Sequence, residues 1–264
     1  MKAAYLCVGG NPQDLKFILG SELYDKTYWP KVVEVAKATT ISRMMRSTDI
    51  MGRMAGDSSD TATLFYPAMQ AADIFQMGIN IVHAGTDQRN VHVVARDAAK
   101  EVGYKKPVAI HHHLIQGLLK PDVWPLPDLS RNEVVTAMKM SKSKPDSAVF
   151  ITDSPDEIKR KVGNAFAPEG EINYNPILDW TKHLILRLQG DALEVQRGSE
   201  HGGNLTYSSY EQLEKDYAEK KLHPQDLKMA VAEWLIKKLE PARIYFEDPK
   251  RKEALEEIEE LTFK

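Results

Sequence analysis

The sequence predicts two domains, an α/β domain built on a parallel sheet over residues 1–149 and an all-α domain over residues 150–264. Three observations predict this. Residues 79–82 and 107–110 are short apolar runs, and the stretch between them has helical periodicity, the strand–helix–strand order of a parallel sheet. Beyond residue 150 the apolar positions recur at helical spacing, with helix-start signals ahead of the runs. Between the two parts lies a lysine-rich joint, Lys139-Met140-Ser141-Lys142-Ser143.

Composition sets the outer bounds. With 42% hydrophobic and 28% charged residues over 264 positions, the chain can bury a sizeable core, and its net charge of -3 means that a polyanion has to be met by local patches. One cysteine, Cys7, excludes an internal disulfide and a multi-cysteine metal site, and fits a reducing compartment. No run has the length of a membrane span and the N-terminus carries no secretory pattern, so a cytoplasmic protein without a membrane partner is expected.

Residues 1–16 carry little signal. Gly9-Gly10-Asn11-Pro12 reads as a turn, followed by a short apolar strand at 17–19. After Trp29-Pro30, the residues Val32, Val33, Ala36, Ile41, Met44 and Met45 recur at roughly helical spacing and predict one long amphipathic helix. Arg43, Arg46 and Arg53 fall along it; such an array either meets phosphate and base edges or is a solvated face. Gly56-Asp57-Ser58-Ser59-Asp60 ends the pattern.

In the next predicted helix, 64–75, Tyr66, Gln70 and Asp73 stand at i, i+4 and i+7 and share one face. A phenol, an amide and a carboxylate among apolar neighbours are costly to bury unpartnered; a polar ligand is one reason for them, a polar outer face the other. Strand 79–82 runs into His83-Ala84-Gly85-Thr86-Asp87-Gln88-Arg89 and then a helix to about residue 100. Ligands of open α/β sheets sit at the carboxyl ends of strands, which makes Gly85, Asp87 and Gln88 candidates. Glycine allows close backbone approach, and the other two accept hydrogen bonds from hydroxyl or ammonium groups. Strand 107–110 ends in His111-His112-His113. Consecutive strand residues point to opposite faces, and neither carboxylate nor cysteine stands at ligand spacing, so no metal site is expected.

The lysine joint offers two ammonium groups, hydroxyls and backbone amides, donors suited to phosphate oxygens on which charge develops. It lacks the glycines of a P-loop, so it reads as a clamp rather than a rigid cradle; a solvated basic loop is the alternative. After it, residues 148–151 read as a strand, Ser154-Pro155-Asp156-Glu157 as a capping box, and Asn175-Pro176 as a second helix start with Ile177, Leu178, Leu184, Ile185 and Leu188 as its core stripe. Ser209 and Gln212 cap a further helix, His223-Pro224-Gln225-Asp226 opens the longest one, and the tail from Glu247 reads as a solvated helix.

Several of these segments together resemble tyrosyl-tRNA synthetases of the archaeal and eukaryotic type, class I, across nearly all of residues 15–245. The resemblance is carried by Gly20-Ser21-Glu22, by Tyr66-Pro67 with Met69, Gln70 and Asp73, by residues 85–89, by His111 with Leu114, Gly117 and Leu118, by the 139–143 joint, which is similar to the family's KMSKS loop, and by His201-Gly202-Gly203 and His223-Pro224 with Asp226. It implies a Rossmann-like nucleotide-binding domain followed by an anticodon-binding domain, ATP with its Mg2+ and L-tyrosine as substrates, tRNA(Tyr) as partner, and a homodimer. It further implies that Tyr66, Gln70 and Gln88 hold the ammonium end of tyrosine and that Asp73 accepts from its phenol. Gly85, Asp87, Met140, Ser141 and Lys142 would contact ATP, while Lys139, Lys142 and Ser143 would stabilise the departing pyrophosphate. Arg46 would touch the acceptor stem, His201 and Asp226 the first anticodon base, and His223 would also bind tRNA. Asp226 in a first helical turn also suits the helix dipole, whatever else it does.

Two departures from the family pattern are visible. Residues 119–137 make a longer, proline-rich connection than the family pattern leads one to expect. Class I members carry an HIGH-like motif and a further tyrosine near the start of the fold, and residues 1–60 match neither. The sheet domain is therefore expected to be N-terminally incomplete, with a catalytically inactive tRNA-binding paralogue or fragment as the alternative.

Overall fold

The computed structural model describes residues 1–48, 61–121, 124, 138, 140 and 144–262. The described chain divides into a sheet unit, Phe17–Leu114, and a helical unit made of Met1–Lys16 with Ile115–Lys264. This division falls ahead of residue 149 because the segment after Leu114 packs with the later helices. Leu118 is fully buried among Ile158, Val162 and Ile177, and its backbone N–H donates to the Ser147 carbonyl at 2.9 Å.

In the sheet unit, β1 (Ile81–Gly85) and β2 (Val108–His112) pair in parallel, with Ile81 opposite Val108 and Gly85 opposite His112. Both strands sit one to two residues later than the apolar runs that signal them. Their apolar starts set the pairing, and the ladder continues into histidines that sequence periodicity does not mark as strand. Numbered along the chain, the short α1 (Lys2–Leu6) belongs to the helical unit, and the sheet unit holds the short α2 (Gly20–Leu23) with α3 (Tyr28–Lys37), α4 (Ile41–Ser47), α5 (Phe65–Gln76) and α6 (Arg89–Ala98). The core is rich in small residues: Ala68, Ala71 and Ala72 of α5 and Ala95 and Ala98 of α6 have no exposed surface. Small side chains let neighbouring helix backbones come close.

Two sequence expectations fail here. The long helix from Trp29 is two helices, because Thr40 caps α4 by accepting from the Arg43 backbone N–H at 3.3 Å. A threonine oxygen that satisfies a free helix donor ends one helix and starts the next within an unbroken apolar period. Residues 17–19 are not a strand; Phe17, Ile18 and Leu19 are exposed, and among the described residues no ladder partner takes them up. Arg53 and residues 56–60 lie outside the described residues.

In the helical unit, α7 (Pro155–Gly163), α8 (Pro176–Trp180, continuing as a π turn to Ile185), α9 (Tyr210–Ala218), α10 (Pro224–Tyr245) and α11 (Pro249–Thr262) build the layer. Ser154, Asn175, Ser209 and His223 cap α7 to α10 as their sequences announce. The unit is not purely helical, since β3 (Leu193–Val195) and β4 (Leu205–Tyr207) form an antiparallel ribbon whose three-residue strands are too short to show alternation. Leu188, expected in the core, is 72% exposed because the helix ends before it. Residues 148–151 are not a strand either. Asp153 captures that backbone, accepting from the Phe150 N–H at 2.9 Å and from the buried Lys161 ammonium at 2.7 Å. The alternative to a strand here is a turn locked by a buried ion pair.

One polar contact links the sheet to α6. His92 is buried, and its Nδ1 lies 2.9 Å from Nε2 of His111 on β2. Burial depresses both rings below the ordinary histidine value; the charge of His111 adds to this for His92, and Arg89, His83 and His112 add to it for His111. A depressed base makes the unfolded chain the better proton acceptor, so its stabilisation is present above the ordinary histidine value and lost as pH falls through the folded one. Unfolding of the chain by denaturant should therefore show stability declining as pH falls below about 7, by up to about 1.4 kcal/mol per proton per pH unit. His92→Asn should flatten that decline; an identical slope in this variant would remove the pair from the effect.

Candidate functional site

Helix α5 and the turn after β1 bring the predicted small-ligand residues of the sheet unit together. Gln70 donates through Nε2 to Gln88 Oε1 at 2.8 Å, so the two amides form one polar surface. Gln70 Oε1 is buried and accepts no hydrogen bond from the described residues. An orphaned buried acceptor costs on the order of 1–3 kcal/mol, which a ligand ammonium donating to it offsets. Asp73, three residues along α5, is half buried and accepts from the Tyr28 hydroxyl at 2.7 Å. Burial raises its carboxyl above the ordinary carboxylate range, and the Tyr28 bond opposes that rise. Tyr66 lies on the first turn of the same helix and is 50% exposed.

Gly85 ends β1, and Asp87 and Gln88 lie in the single 3-10 turn that follows, Thr86–Gln88. A Cβ at Gly85 would lie 2.6 Å from both Asp87 Oδ1 and Leu114 Cδ2, so a side chain here would displace the tips of two neighbouring side chains, while the backbone angle itself is ordinary. Of the joint, only Met140 is described; it is half buried and packs against the helical core. Lys139, Ser141, Lys142 and Ser143 lie outside the described residues. The arginine array is reduced, because Arg43 is ion-paired with Asp97 of α6. Arg46 is exposed on the last turn of α4, and its carbonyl accepts from Asn90 Nδ2 at 3.0 Å.

In the helical unit, His201, His223 and Asp226 meet in one cleft of about 330 Å³ together with Arg197, Lys220 and Lys221. His201 closes the 3-10 turn Ser199–His201, and the chain leaves it through Gly202 (φ 88°) and Gly203 (φ 76°), a left-handed path suited to glycine. His223 caps α10, its Nδ1 accepting from the Gln225 N–H at 3.1 Å, which in the neutral ring puts the proton on Nε2. Asp226 follows in the first turn. Arg197 braces the cleft, donating to the Gly203 carbonyl at 3.0 Å and the Lys221 carbonyl at 3.1 Å. Arg197, Lys220 and Lys221 line it against Asp226, with Lys221 ion-paired to Glu219 at 2.6 Å and Lys220 to Glu169 at 3.6 Å; these exposed pairs can exchange for phosphate oxygens, while the two imidazoles offer flat faces. Sequence reading missed Arg197, Lys220 and Lys221; the available signal was their position next to His201-Gly202-Gly203 and His223-Pro224.

Comparison with known proteins shows the family. The family model described as tRNA synthetases class I (W and Y) matches residues 1–240. The chain is 49% identical to the tyrosine–tRNA ligase of Thermococcus kodakarensis over 272 residues, covering 99% of this chain and 72% of that one. It is 48% identical to the ligase of the same name from Thermococcus sibiricus, covering 94% and 69%. The crystal structure of Pyrococcus horikoshii tyrosyl-tRNA synthetase complexed with L-tyrosine superposes with a TM-score of 0.88 at 48% identity, covering 97% of this chain and 71% of that chain. The likeness to tryptophanyl-tRNA synthetase from Aeropyrum pernix, TM-score 0.62 at 19% identity over 93% and 61% of the two chains, is one of fold.

The close approach at Gly85 has a measurable consequence. Gly85→Ala should destabilise the sheet unit by about 1 kcal/mol, because the side-chain tips of Leu114 and Asp87 have to swing aside. Denaturant unfolding measures this, and a loss below about 0.5 kcal/mol would mean that the turn yields freely.

Proposed function

The chain belongs to the class I tRNA synthetases of the W and Y group, and on that premise we propose that it is a ligase that activates L-tyrosine with ATP and transfers it to tRNA(Tyr). The single observation that carries the amino-acid side of this reading is the joined amide pair Gln70–Gln88, with its unpaired buried acceptor, one helical turn from the half-buried Asp73. Such a surface takes an ammonium group at one end and a hydroxyl donor at the other. Tyr66, Gln70 and Gln88 are assigned to the ammonium end and Asp73 to the phenol. Phenylalanine would leave the Asp73 acceptor unpaired, which is how a site built on a buried acceptor rejects it.

The chemistry needs no protein nucleophile. The tyrosine carboxylate attacks the α-phosphorus of ATP, the bond to the bridging oxygen breaks, and pyrophosphate leaves with the electron pair. The terminal ribose hydroxyl of tRNA then attacks the tyrosyl carbonyl and AMP leaves. What the protein supplies is positioning and charge. Gly85, Asp87, Met140, Ser141 and Lys142 are assigned to ATP, which arrives with Mg2+ on its phosphates. Lys139, Lys142 and Ser143 are assigned to the leaving pyrophosphate.

Residues 150–264 are read as the anticodon-binding part and residues 1–149 as the catalytic part. In the cleft, His201 and His223 offer rings for stacking, and Asp226 accepts from the Watson–Crick edge of a guanine. Arg197, Lys220 and Lys221 meet the backbone phosphates, and exposed Arg46 meets the acceptor stem. Exposed apolar pairs spaced i, i+4, Trp29 with Val33 and Ile41 with Met45, suit contact with a second copy in a homodimer. No described helix is long and apolar enough to cross a membrane, and the cytoplasm, where tRNA and ATP are present, is the proposed place of action.

Tyrosine-dependent exchange of labelled pyrophosphate into ATP tests the ligase reading. Lys142→Ala should lower the exchange rate by about 100-fold or more while leaving tyrosine affinity within about twofold, since its contact strengthens only as charge develops. An unchanged rate removes Lys142 from the reaction. On the tRNA side, Asp226→Ala should cost about 1–3 kcal/mol in binding of tRNA(Tyr) and relax the preference for the first anticodon base, whereas Lys221→Ala should weaken all tRNAs alike and lower the salt dependence. Filter binding over a salt series separates the two, and equal losses for every tRNA in both variants would take base reading away from Asp226.

A further inference from the structure

Tyr28 has no exposed surface, yet it is a tyrosine and not a phenylalanine. Its ring stacks on Tyr24 with centroids 4.3 Å apart and meets Trp29 edge-on at 5.7 Å, so packing alone fixes its position. Its hydroxyl has one proton and two acceptors in reach, Asp73 Oδ1 at 2.7 Å and the Met69 carbonyl at 3.0 Å. The shorter contact is the charge-assisted one, and it takes the proton. Burial and the neighbouring carboxylate hold the phenol far above its ordinary titration range, so it stays a donor at any working pH.

The geometry at Asp73 then becomes asymmetric. Tyr28 occupies Oδ1, while among the described residues Oδ2 receives no donor. An aspartate on a helix has several rotamers open to it, and a rigid donor from the neighbouring helix selects one. We propose that Tyr28 is a positioning residue for amino-acid selectivity, holding Asp73 so that Oδ2 faces the substrate and accepts from the phenol of tyrosine. This rests on the reading of Asp73 as the phenol acceptor. A purely structural role would need only that the buried hydroxyl be satisfied, which the Met69 carbonyl could do unaided.

Calorimetric titration of the purified chain with tyrosine and with phenylalanine, over a pH series, tests the proposal in Tyr28→Phe and Asp73→Asn. Tyr28→Phe should weaken tyrosine about tenfold and leave phenylalanine unchanged, the loss expected for one hydrogen bond to a charged group. It should also move the pH at which tyrosine affinity is lost on acidification upward. The Tyr28 bond favours the ionised carboxylate, so its removal raises the Asp73 pKa further, an effect that repacking of a core ring would not produce. If Asp73→Asn abolishes the preference for tyrosine while Tyr28→Phe keeps both preference and pH profile, the proposal is overturned and the site reading stands. If Asp73→Asn keeps the preference, or the unsubstituted chain does not discriminate the two amino acids, the site reading falls and the proposal with it. Should Tyr28→Phe fail to fold, the carboxyl carbon resonance of Asp73 in the unsubstituted chain decides. A titration above the ordinary carboxylate range that shifts when tyrosine binds supports the proposal, and one that tyrosine leaves unmoved overturns it.

Discussion

Polar groups on a helix that is otherwise packed on alanine need partners from the neighbouring elements, and that requirement organises the sheet unit. Helix α5 buries Ala68, Ala71 and Ala72 without residual surface, which lets α3 and α6 come close. The same closeness brings the Tyr28 hydroxyl to Asp73 and the turn after β1, with Gln88, to Gln70. A gap of 1 Å would break both bonds and leave buried polar atoms unpaired, at on the order of 1–3 kcal/mol each. The alanines therefore set the site as much as the polar residues do. Larger side chains on α5 would separate the helices and orphan the amide and the carboxylate together.

Much of this arrangement is legible in the sequence, but only where one local signal decides. The i, i+4, i+7 spacing of Tyr66, Gln70 and Asp73 puts them on one helix face, and Gly85 ahead of Asp87 and Gln88 marks a strand end that a ligand or a side chain approaches closely. The caps Ser154, Asn175, Ser209 and His223 fix where four helices start, because a side-chain oxygen or ring nitrogen next to free helix donors is a local event. Where two local signals compete, periodicity misleads. Thr40 breaks a helix that its apolar period carries straight through, and Asp153 turns an apolar run that would otherwise read as a strand.

Longer-range partners leave no local trace. Tyr28 stands just ahead of the apolar period that follows Trp29-Pro30 and carries no signal of its own, and nothing near it in sequence announces a carboxylate 45 residues on. Arg197 likewise precedes its cleft in the chain and braces it through the carbonyls of Gly203 and Lys221, contacts created by the fold. The ribbon of β3 and β4 is three residues per strand, too short for alternation, and yet it buries Leu193, Val195 and Tyr207 in the helical core.

On the proposed function, the two units would meet their ligands by opposite means. The cleft of His201, His223 and Asp226 is open and edged by Arg197, Lys220 and Lys221, so attraction comes from charge, reaches outward and is screened by salt. The sheet unit presents few charges to a small zwitterion; it uses groups withdrawn from water, where an unmatched hydrogen bond is expensive. Affinity for a long polyanion tolerates imperfect contacts, because many weak ones add. Discrimination between two amino acids that differ by one hydroxyl does not, and it needs an acceptor held in a single place. In the proposed role, Tyr28 supplies that rigidity from inside the hydrophobic core, so the residue that would orient the selective carboxylate is also a packing residue. That role would couple amino-acid selectivity to the stability of the sheet unit at this position, so that a substitution that relaxes one is felt by the other.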